Sequence, residues 1–442
     1  MDDISGGEFR RPWADRIQDV ECRVLVGTWN VAGRAPVDSL VVDLEEWLNF
    51  KTHPADIYVL GFQEVVPLRA RNVLGVVENG APAAKWNSLI SRCLNKPRTT
   101  MAPDAWDTLR WTGTPTTLEQ RHGSQLRAMT PLRYGRRQRD EEVRGFFGLN
   151  YACAASRQLV GIFVTVWAKV KMIEEGRVSG VEVFSVGCGM MGYLGNKGAV
   201  SVSLCIEGTS FCFVGVHLAS GEKTGDEARR NRQVSKIFRR TAFLPRLHDR
   251  VFPLPQTIMG HDRIFWFGDL NYRLLLADGL ARNLIKQQDW KALHQFDQLK
   301  KEQSMGGVFD GWREGNIEFA PTYKYSTSNS NRYSGGNPNR TGEKQRTPAW
   351  CDRIMWYGKG VQQLSYVRSE SGFSDHRPVS AFFSTQVDSQ HLYLQPLKFR
   401  TQLQSLSGGG KGNEEKTTLL ALLVRDMESS RRQDLPPLES FL

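Results

Sequence analysis

The chain has 442 residues, of which 40% are hydrophobic, and it carries a formal net charge of +11 at pH 7. This apolar content suffices for a large core, yet no segment approaches the roughly 20 uninterrupted apolar residues of a membrane-spanning helix. The N-terminal MDDISGGEFRRPWADR also lacks the apolar centre of a secretory signal. We therefore expect a cytoplasmic protein whose basic charge favours anionic partners: phosphorylated small molecules, acidic membrane surfaces or nucleic acid.

The cysteines indicate a reduced protein without a structural zinc site. The chain has seven of them, an odd number, and most lie inside apolar runs (Cys153, Cys188, Cys205, Cys212). No Cys-x-x-Cys pair or Cys/His cluster has the spacing of a zinc site. Buried, reduced thiols are the simplest interpretation.

Runs rich in Val, Ile and Phe alternate with helical patterns along most of the chain. The predicted strands are Arg23–Thr28, Ile57–Phe62, Leu159–Val170, Val181–Gly187, Ala199–Ile206, Ser210–His217, Ile264–Gly268, Arg353–Trp356 and Val379–Phe383. The predicted helices are Leu40–Phe50, Trp86–Leu94, Glu227–Arg240 and pieces of Ala277–Gln303. Short turns join several neighbouring strands, so we expect two mixed, largely antiparallel sheets packed as an α/β sandwich with helices outside.

Three stretches depart from this pattern. Periodicity weakens over about 75–145, which is rich in Arg and predicts an exposed insertion. Ser326–Arg346 is rich in Ser, Asn and Gly and predicts a surface loop. The predicted organisation is an N-terminal extension (1–21), a main domain (22–384) and a polar linker with a tail (385–442). The Leu-rich segment of the tail is either a short docking helix or a marginal helix without a partner.

The segment FWFGDLNYR, Phe265–Arg273, has the form of a buried strand that ends in polar side chains. A period of two places Asp269 and Asn271 on one face of the strand, and Gly268 permits close approach of chain or ligand. A carboxylate beside a carboxamide suits activation of water and binding of a phosphate. Asp and Asn also favour ordinary turns, so this segment by itself decides nothing.

Six other segments place polar side chains at the ends or starts of strands or in an adjacent turn: Asn30, Glu64, the Asn196–Lys197 turn, His217, Asp352 and the Asp375–His376 pair. Each has an ordinary structural explanation when taken singly. Together, the carboxylate and carboxamide oxygens suit Mg²⁺, the histidines suit hydrogen bonding to phosphoryl oxygens, and Asp269 suits positioning of water. The set predicts metal-assisted hydrolysis of a phosphate ester.

The segments GTWNVAG, GFQEVVPL, GYLGNKGAVS, HLASG, FWFGDLNYR, TYKY, PAWCDRI and SDHRPV, in this order, resemble the inositol polyphosphate 5-phosphatases, and the plant members most. The resemblance runs from about Arg23 to Phe383. It implies the four-layer α/β/β/α sandwich of DNase I-like enzymes and removal of the 5-phosphate from inositol phosphates or phosphoinositide headgroups.

The resemblance also implies roles for individual residues. Glu64, with Asn30 beside it, would bind Mg²⁺. The catalytic contacts would come from Asp269 (orienting water), Asn271 (scissile phosphate), His376 paired with Asp375 (the same phosphate), His217 (near the leaving oxygen) and Asp352 (completing the network). Contacts to the rest of the substrate would come from Tyr323, Lys324 and Lys344 at the 4-phosphate, Arg346 in the same loop, and Asn196 and Lys197 on the other side.

Three alternatives stay open at this point. A nuclease of the same fold fits the basic charge, although no aromatic-rich basic segment indicates a stacking surface, and we expect no nucleic-acid partner. A catalytically inactive phosphoinositide-binding module is the second. The third is an ordinary edge strand for TYKY with a solvated lysine. Soluble and lipid substrates are equally compatible, and the arginines of 75–145 either contact anionic membrane or are simply solvated.

Overall fold

The computed structural model describes residues 20–49, 52–68, 80–96, 149–244, 254–326, 331–335 and 345–388. These ranges belong to one compact unit, Met1–Ser389. The predicted N-terminal extension up to residue 19 and the tail beyond residue 388 lie outside the described residues.

The first sheet has six strands in the order β11–β12–β1–β2–β4–β3. Its strands are β1 (Val20–Asn30), β2 (Ile57–Gln63), β3 (Tyr151–Leu159), β4 (Ile162–Lys169), β11 (Val361–Arg368) and β12 (Val379–Val387). The neighbours β1 and β2 run parallel, and the other described pairs are antiparallel.

The second sheet repeats this design in the order β5–β6–β7–β8–β10–β9. Its strands are β5 (Val178–Gly187), β6 (Gly198–Ile206), β7 (Thr209–His217), β8 (Arg263–Asp269), β9 (Arg313–Glu314) and β10 (Asp352–Tyr357). Here β7 and β8 form the parallel pair at the centre, and the remaining pairs are antiparallel.

The two sheets pack face to face, and helices cover their outer faces. The helices are α1 (Leu40–Leu48), α2 (Ala81–Leu94), α3 (Val170–Glu174), α4 (Asp226–Arg240), α5 (Asp278–Lys286), α6 (Trp290–His294) and α7 (Gln298–Ser304). One core cluster joins both sheets, including Val59 and Val166 with Phe213 and Phe267. Central strands buried on both faces explain the long apolar runs of the sequence, and the predicted four-layer sandwich is confirmed.

Each outer face has its own apolar cluster. Trp47 of α1 and Trp86 of α2 pack with Phe62 on the first sheet, and Val234 and Ile237 of α4 pack on the second. Helix α2 falls within the predicted insertion of 75–145, so the expectation of an exposed segment is wrong for Ala81–Leu94. Residues 69–79 and 97–148 lie outside the described ranges.

Three strands were missed from the sequence, and all three are sheet edges: β9 (Arg313–Glu314), a two-residue edge of the second sheet, and two longer strands of the first sheet. β3 is the last strand of the first sheet, and β11 is the first. Their sequences, YACAASRQL and VQQLSYVR, mix buried and exposed positions without an apolar run. β1 begins at Val20 and β12 ends at Val387, so both strands extend past the predicted limits of 22 and 384. In the part of the chain that is described, no helix is long and apolar enough to cross a membrane.

The central parallel pairs decide where the functional side chains lie. β1 and β2 end in register at Asn30 and Gln63, directly before Glu64, and β7 and β8 end in register at His217 and Asp269. Carboxyl ends of parallel strands share one edge of a sheet, where ligand-binding crevices of α/β proteins are commonly found.

Candidate active site

Three neighbouring strands of the second sheet place their polar residues side by side. His217 at the end of β7 pairs with Asp269 at the end of β8, and Asp269 pairs with Asp352 at the start of antiparallel β10. All three side chains are buried. Gly268 allows this packing, because a Cβ there would lie 2.0 Å from the carbonyl oxygen of Val216.

Asp269 is the junction between the two sheets. Its Oδ2 accepts a hydrogen bond from Asn30 Nδ2 at 3.0 Å and lies 3.2 Å from His217 Nε2. Its Oδ1 accepts the backbone N–H of Asn271 at 3.1 Å. Burial alone would raise the pKa of Asp269, but the hydrogen bond and charge of His217 and the charges of His376 and Lys197 hold it below its usual range. Asp269 is therefore a carboxylate that accepts hydrogen bonds at neutral pH.

His376 is held by Asp352. The Nδ1 atom of His376 lies 2.8 Å from Asp352 Oδ2, which also accepts the hydroxyl hydrogen of Thr322 at 2.7 Å. Burial opposes the charged imidazolium, but the carboxylates of Asp352, Asp269 and Asp375 outweigh it and raise the pKa of His376 to about 9. His376 is thus a cation at neutral pH, with Nε2 free of the Asp352 contact.

The predicted pairing of His376 with Asp375 is wrong. Asp375 instead accepts a hydrogen bond from the ammonium group of Lys324 and forms an ion pair with it. The carboxylate that lies within hydrogen-bonding distance of His376 Nδ1 comes from Asp352 at the start of β10.

Lys197 lies in this centre as well. Its ammonium group contacts His217 Nε2, and burial lowers its pKa to about 8, against the opposing charges of Asp269 and Glu64. Burial and the neighbouring Lys197 also lower the pKa of His217. Asn196, which was predicted to contact the substrate, accepts the backbone N–H of Met190 at 3.1 Å and shapes the turn.

The predicted metal ligands lie beside this network. Glu64 Oε1 is 3.9 Å from His217 Nε2, and Asn30 Oδ1 accepts the N–H of Ala32 at 3.0 Å. A carbonyl oxygen has a second lone pair, so Asn30 retains acceptor capacity for a cation. A carboxylate and a carboxamide oxygen at a polar edge are the donor set that Mg²⁺ and Ca²⁺ take, and this pair fits such an ion.

A second group of potential metal ligands is already hydrogen bonded within the protein. Asp269, Asp352 and His376 have ligand atoms within 4.8 Å of one another. The Nδ1 of His376 is already hydrogen bonded to Asp352, and its raised pKa favours the protonated ring, which cannot coordinate a metal. Within this group, the imidazolium of His376 is the member that can donate a hydrogen bond to a phosphate.

The predicted substrate-binding residues are distributed around the same edge. The ring of Tyr323 lies over that of His376, with centroids 4.5 Å apart, and Lys324 pairs with Asp375. Arg346 forms an ion pair with Glu222 at 3.0 Å, a partner that was not anticipated. Lys344 lies outside the described residues.

Arg273 supports the site from behind. It donates from Nη2 to Asn271 Oδ1 at 2.7 Å, and its guanidinium lies 4.8 Å from the centre of the Tyr323 ring. Asn271 also donates to the carbonyl oxygen of Leu218 at 3.1 Å. The position of Arg273 directly after the Asp269–Tyr272 run was the available signal for a supporting role. Thr322 is the first residue of the TYKY segment, but its hydrogen bond to Asp352 was not anticipated.

The arrangement has the parts needed for hydrolysis of a phosphate ester. It combines a low-pKa carboxylate, a protonated imidazole, buried cations and an oxygen-donor pair for a divalent ion, which together suit an anionic substrate and a water nucleophile. The chemistry alone leaves the class of phosphate ester open.

Comparison with known proteins narrows this class. The chain matches the model of Endonuclease/Exonuclease/phosphatase family 2 over residues 27–113 and 135–382. It is 47% identical to the Type I inositol polyphosphate 5-phosphatase 8 of Arabidopsis thaliana over 374 residues, which is 84% of this chain and 73% of that protein. Identity to the Type I inositol polyphosphate 5-phosphatase 4 of the same plant is 42% over 435 residues, covering 84% and 78%.

Solved structures agree with the sequence relatives. The chain is similar to the inositol polyphosphate 5-phosphatase domain of synaptojanin in complex with inositol (1,4)-bisphosphate and calcium ion, with a TM-score of 0.61, 26% identity, and coverage of 88% of this chain and 94% of that one. A Cimex nitrophorin has the same fold at a TM-score of 0.52 with 19% identity, covering 83% and 99%. A shared fold does not define chemistry, so the site residues carry the functional argument.

Proposed function

The chain belongs to the inositol polyphosphate 5-phosphatase family, and from this premise we propose that it is a Mg²⁺-dependent enzyme that hydrolyses the 5-phosphate of inositol polyphosphates and phosphoinositide headgroups. The observation that carries the proposal is the contact of Asp269 with Asn30 and His217, beside the buried Asp352–His376 pair. A water-orienting carboxylate and a cationic imidazole thus face the same small region.

Glu64 and Asn30 would hold the Mg²⁺. Both supply hard oxygen donors at the edge where the two sheets meet, and Mg²⁺ typically takes one or two carboxylates together with substrate phosphate. When bound, the ion would neutralise negative charge that develops on the phosphoryl group during the reaction. The calcium ion in the synaptojanin domain supports a divalent cation in this region, and Mg²⁺ is our choice for this chain.

The residues of this chain would divide the remaining work. Asp269 accepts a hydrogen bond from the attacking water and orients it toward phosphorus. His376, protonated at neutral pH, donates from Nε2 to a phosphoryl oxygen, and Asn271 holds the scissile phosphate. His217, beside Lys197, contacts the side of the phosphate from which the inositol oxygen leaves. The P–O bond to inositol breaks as the bond to water forms, and the products are inorganic phosphate and the inositol alcohol.

The neighbouring phosphate of the substrate would be bound by Tyr323 and Lys324. Lys324 pairs with Asp375, so a substrate phosphate would compete with that carboxylate for the ammonium group. Cations and aromatic hydroxyls of this kind suit a densely phosphorylated ring. The net charge of +11 also favours peripheral contact with an anionic membrane, which we include in the proposal.

Phosphate release tests the proposal directly. The substrates are soluble inositol 1,4,5-trisphosphate and phosphatidylinositol 4,5-bisphosphate in vesicles, each with and without Mg²⁺. We expect Mg²⁺-dependent release with the parent chain, unchanged release with Asp310→Asn at an exposed position, and a loss of at least about 100-fold with Asp269→Asn. Equal rates for parent and Asp269→Asn would refute the assignment, and the two substrates report separately on soluble and lipid forms.

A further inference from the structure

Two polar side chains of helix α4 are buried in the protein interior. Arg230 is 0% exposed and Gln233 is 6% exposed, whereas Arg229 and Arg232 on the same helix are exposed. Arginine is almost never fully buried unless its donors are paired. The burial of Arg230 therefore reflects specific partners.

Those partners belong to the segment that follows His217. Nη1 of Arg230 donates to the carbonyl oxygens of Ala219 at 3.2 Å and Gly221 at 3.0 Å. Nη2 donates to Gln298 Oε1 at 2.7 Å, and this oxygen also accepts the backbone N–H of Arg273 at 2.8 Å. One guanidinium thus connects the His217 segment with the segment that carries Asp269 and Asn271.

Gln233 completes the connection from the next turn of the helix. Its Oε1 accepts the backbone N–H of Ala219 at 2.7 Å, and its Nε2 donates to the carbonyl oxygen of Cys188 at 2.8 Å. Cys188 lies at the other end of the turn that carries Lys197, since its N–H donates to the Lys197 carbonyl oxygen at 2.7 Å. Gln233 therefore links the His217 segment to the Lys197 turn.

The segment that Arg230 and Gln233 hold, residues 218–221, is hydrogen bonded directly to residues of the proposed active site. Leu218, between His217 and Ala219, donates its N–H to the Asp269 carbonyl oxygen at 3.0 Å. Its own carbonyl oxygen accepts from Asn271 Nδ2 at 3.1 Å. Displacement of this segment moves His217 and Asn271 together.

We propose that Arg230 and Gln233 are positioning residues that hold His217, Asn271 and Lys197 in the geometry needed for the chemical step. Neither residue contacts the reacting atoms; each acts through backbone groups. The inference rests on the proposed function, because it assigns the clamped residues to the scissile phosphate. Displacements of about 1 Å caused by remote substitutions cost on the order of 100-fold in rate, which is the scale expected here.

The alternative is a purely structural role, and it makes a different prediction. A side chain that only stabilises the fold lowers the folded fraction and leaves the rate per folded molecule unchanged. A positioning residue lowers kcat per folded molecule, with little change in KM because ground-state binding of the other phosphates persists. The ratio of kcat to KM effects, measured on folded protein, separates the two roles.

The test uses Arg230→Lys and Gln233→Met in the full chain. Lysine keeps the charge but lacks the planar fork that reaches three acceptors, and methionine keeps the length of Gln233 without its hydrogen bonds. Arg229→Lys is the matched control on the exposed face. We expect kcat per folded molecule to fall at least about 10-fold in both variants, KM to stay within about twofold, and the control to match the parent.

Hydrogen exchange of the Ala219 amide provides an independent measurement. This amide should exchange faster in folded Gln233→Met than in the parent, while amides at the centre of β7 remain unchanged. If Arg230→Lys does not fold, the values of kcat per folded molecule and of KM for Gln233→Met decide the question. If Gln233→Met does not fold either, Gln233→Glu takes its place. Parent-like kcat in a folded variant overturns the positioning role, whereas an inactive parent chain instead overturns the proposed function.

Discussion

The imidazole Nδ1 of His376 lies 2.8 Å from the carboxylate of Asp352, and both side chains are buried. Asp352 opens strand β10 of the second sheet, and His376 lies just before β12 of the first. The contact therefore joins the two halves of the sandwich at the site and keeps a cation where a phosphate is proposed to bind.

Replacing Asp352 should move the alkaline limit of activity. The pKa of His376 is raised to about 9, so its cationic form is present at neutral pH and is lost as the pH rises through about 9. In Asp352→Asn the pKa of His376 should fall, because burial is no longer offset by this carboxylate. The pH profile of kcat should then decline at least about one pH unit earlier. A decline at the parent pH, with Asp310→Asn as control, would contradict the role of this pair.

Glu64→Gln tests the proposed Mg²⁺ site. An amide oxygen replaces a carboxylate, so the cation loses its charged ligand. The Mg²⁺ concentration for half-maximal rate should rise at least about 10- to 100-fold, and Glu318→Gln at an exposed position should leave it unchanged. Calorimetric titration of Mg²⁺ without substrate gives a second measure. An unchanged Mg²⁺ requirement would remove Glu64 from the site.

Glu222→Gln tests whether Arg346 binds substrate. Glu222 pairs with Arg346 at 3.0 Å, and both side chains are partly exposed at 29% and 37%. Exposed pairs of this kind contribute about 0.2–1 kcal/mol, so freeing the guanidinium should lower KM by about 1.4- to fivefold. Glu175→Gln, which breaks a similar pair with Arg177 before strand β5, is the matched control. A KM that rises or stays constant would show that Arg346 does not reach the substrate.

Trp86→Ala tests the packing of α2 on the first sheet. Trp86 is fully buried, and its ring stacks on Phe62 with centroids 4.5 Å apart. Removal of a buried tryptophan costs about 3–5 kcal/mol of unfolding free energy, whereas Lys85→Ala on the exposed side of the helix should cost little. Urea denaturation followed by circular dichroism measures both. A loss below about 1 kcal/mol would mean that α2 does not belong to the core.

The sequence predicted most of the central strands because strands buried on both faces are apolar throughout. It also predicted which strand ends carry polar residues, since Asn30, Glu64, His217 and Asp269 all follow such runs. The edge strands β3 and β11 were missed because one side of an edge strand is solvated and its sequence is correspondingly mixed. The apolar spacing of Trp86, Leu89 and Ile90 indicated helix α2. Its burial in the core depends on contacts with residues distant in sequence, which this spacing does not predict.

The contacts within the site were harder to predict than its members. The partner of His376 was assigned to the adjacent Asp375, whereas the structure supplies Asp352 from 24 residues away. The burial of Arg230 was equally hard to predict. The sequence of its helix, Asp-Glu-Ala-Arg-Arg-Asn-Arg-Gln, contains several arginines, and no local rule selects the buried one. Such pairings depend on register between distant strands and helices, which local patterns do not encode.

The most direct test of the account is the position from which phosphate is removed. Inositol 1,4,5-trisphosphate is incubated with the parent chain and Mg²⁺, and the bisphosphate product is identified by phosphorus nuclear magnetic resonance or anion-exchange chromatography. We predict inositol 1,4-bisphosphate as the product, formed by the parent and not by Asp269→Asn. Formation of inositol 1,5- or 4,5-bisphosphate, or equal turnover by Asp269→Asn, would contradict the central claim.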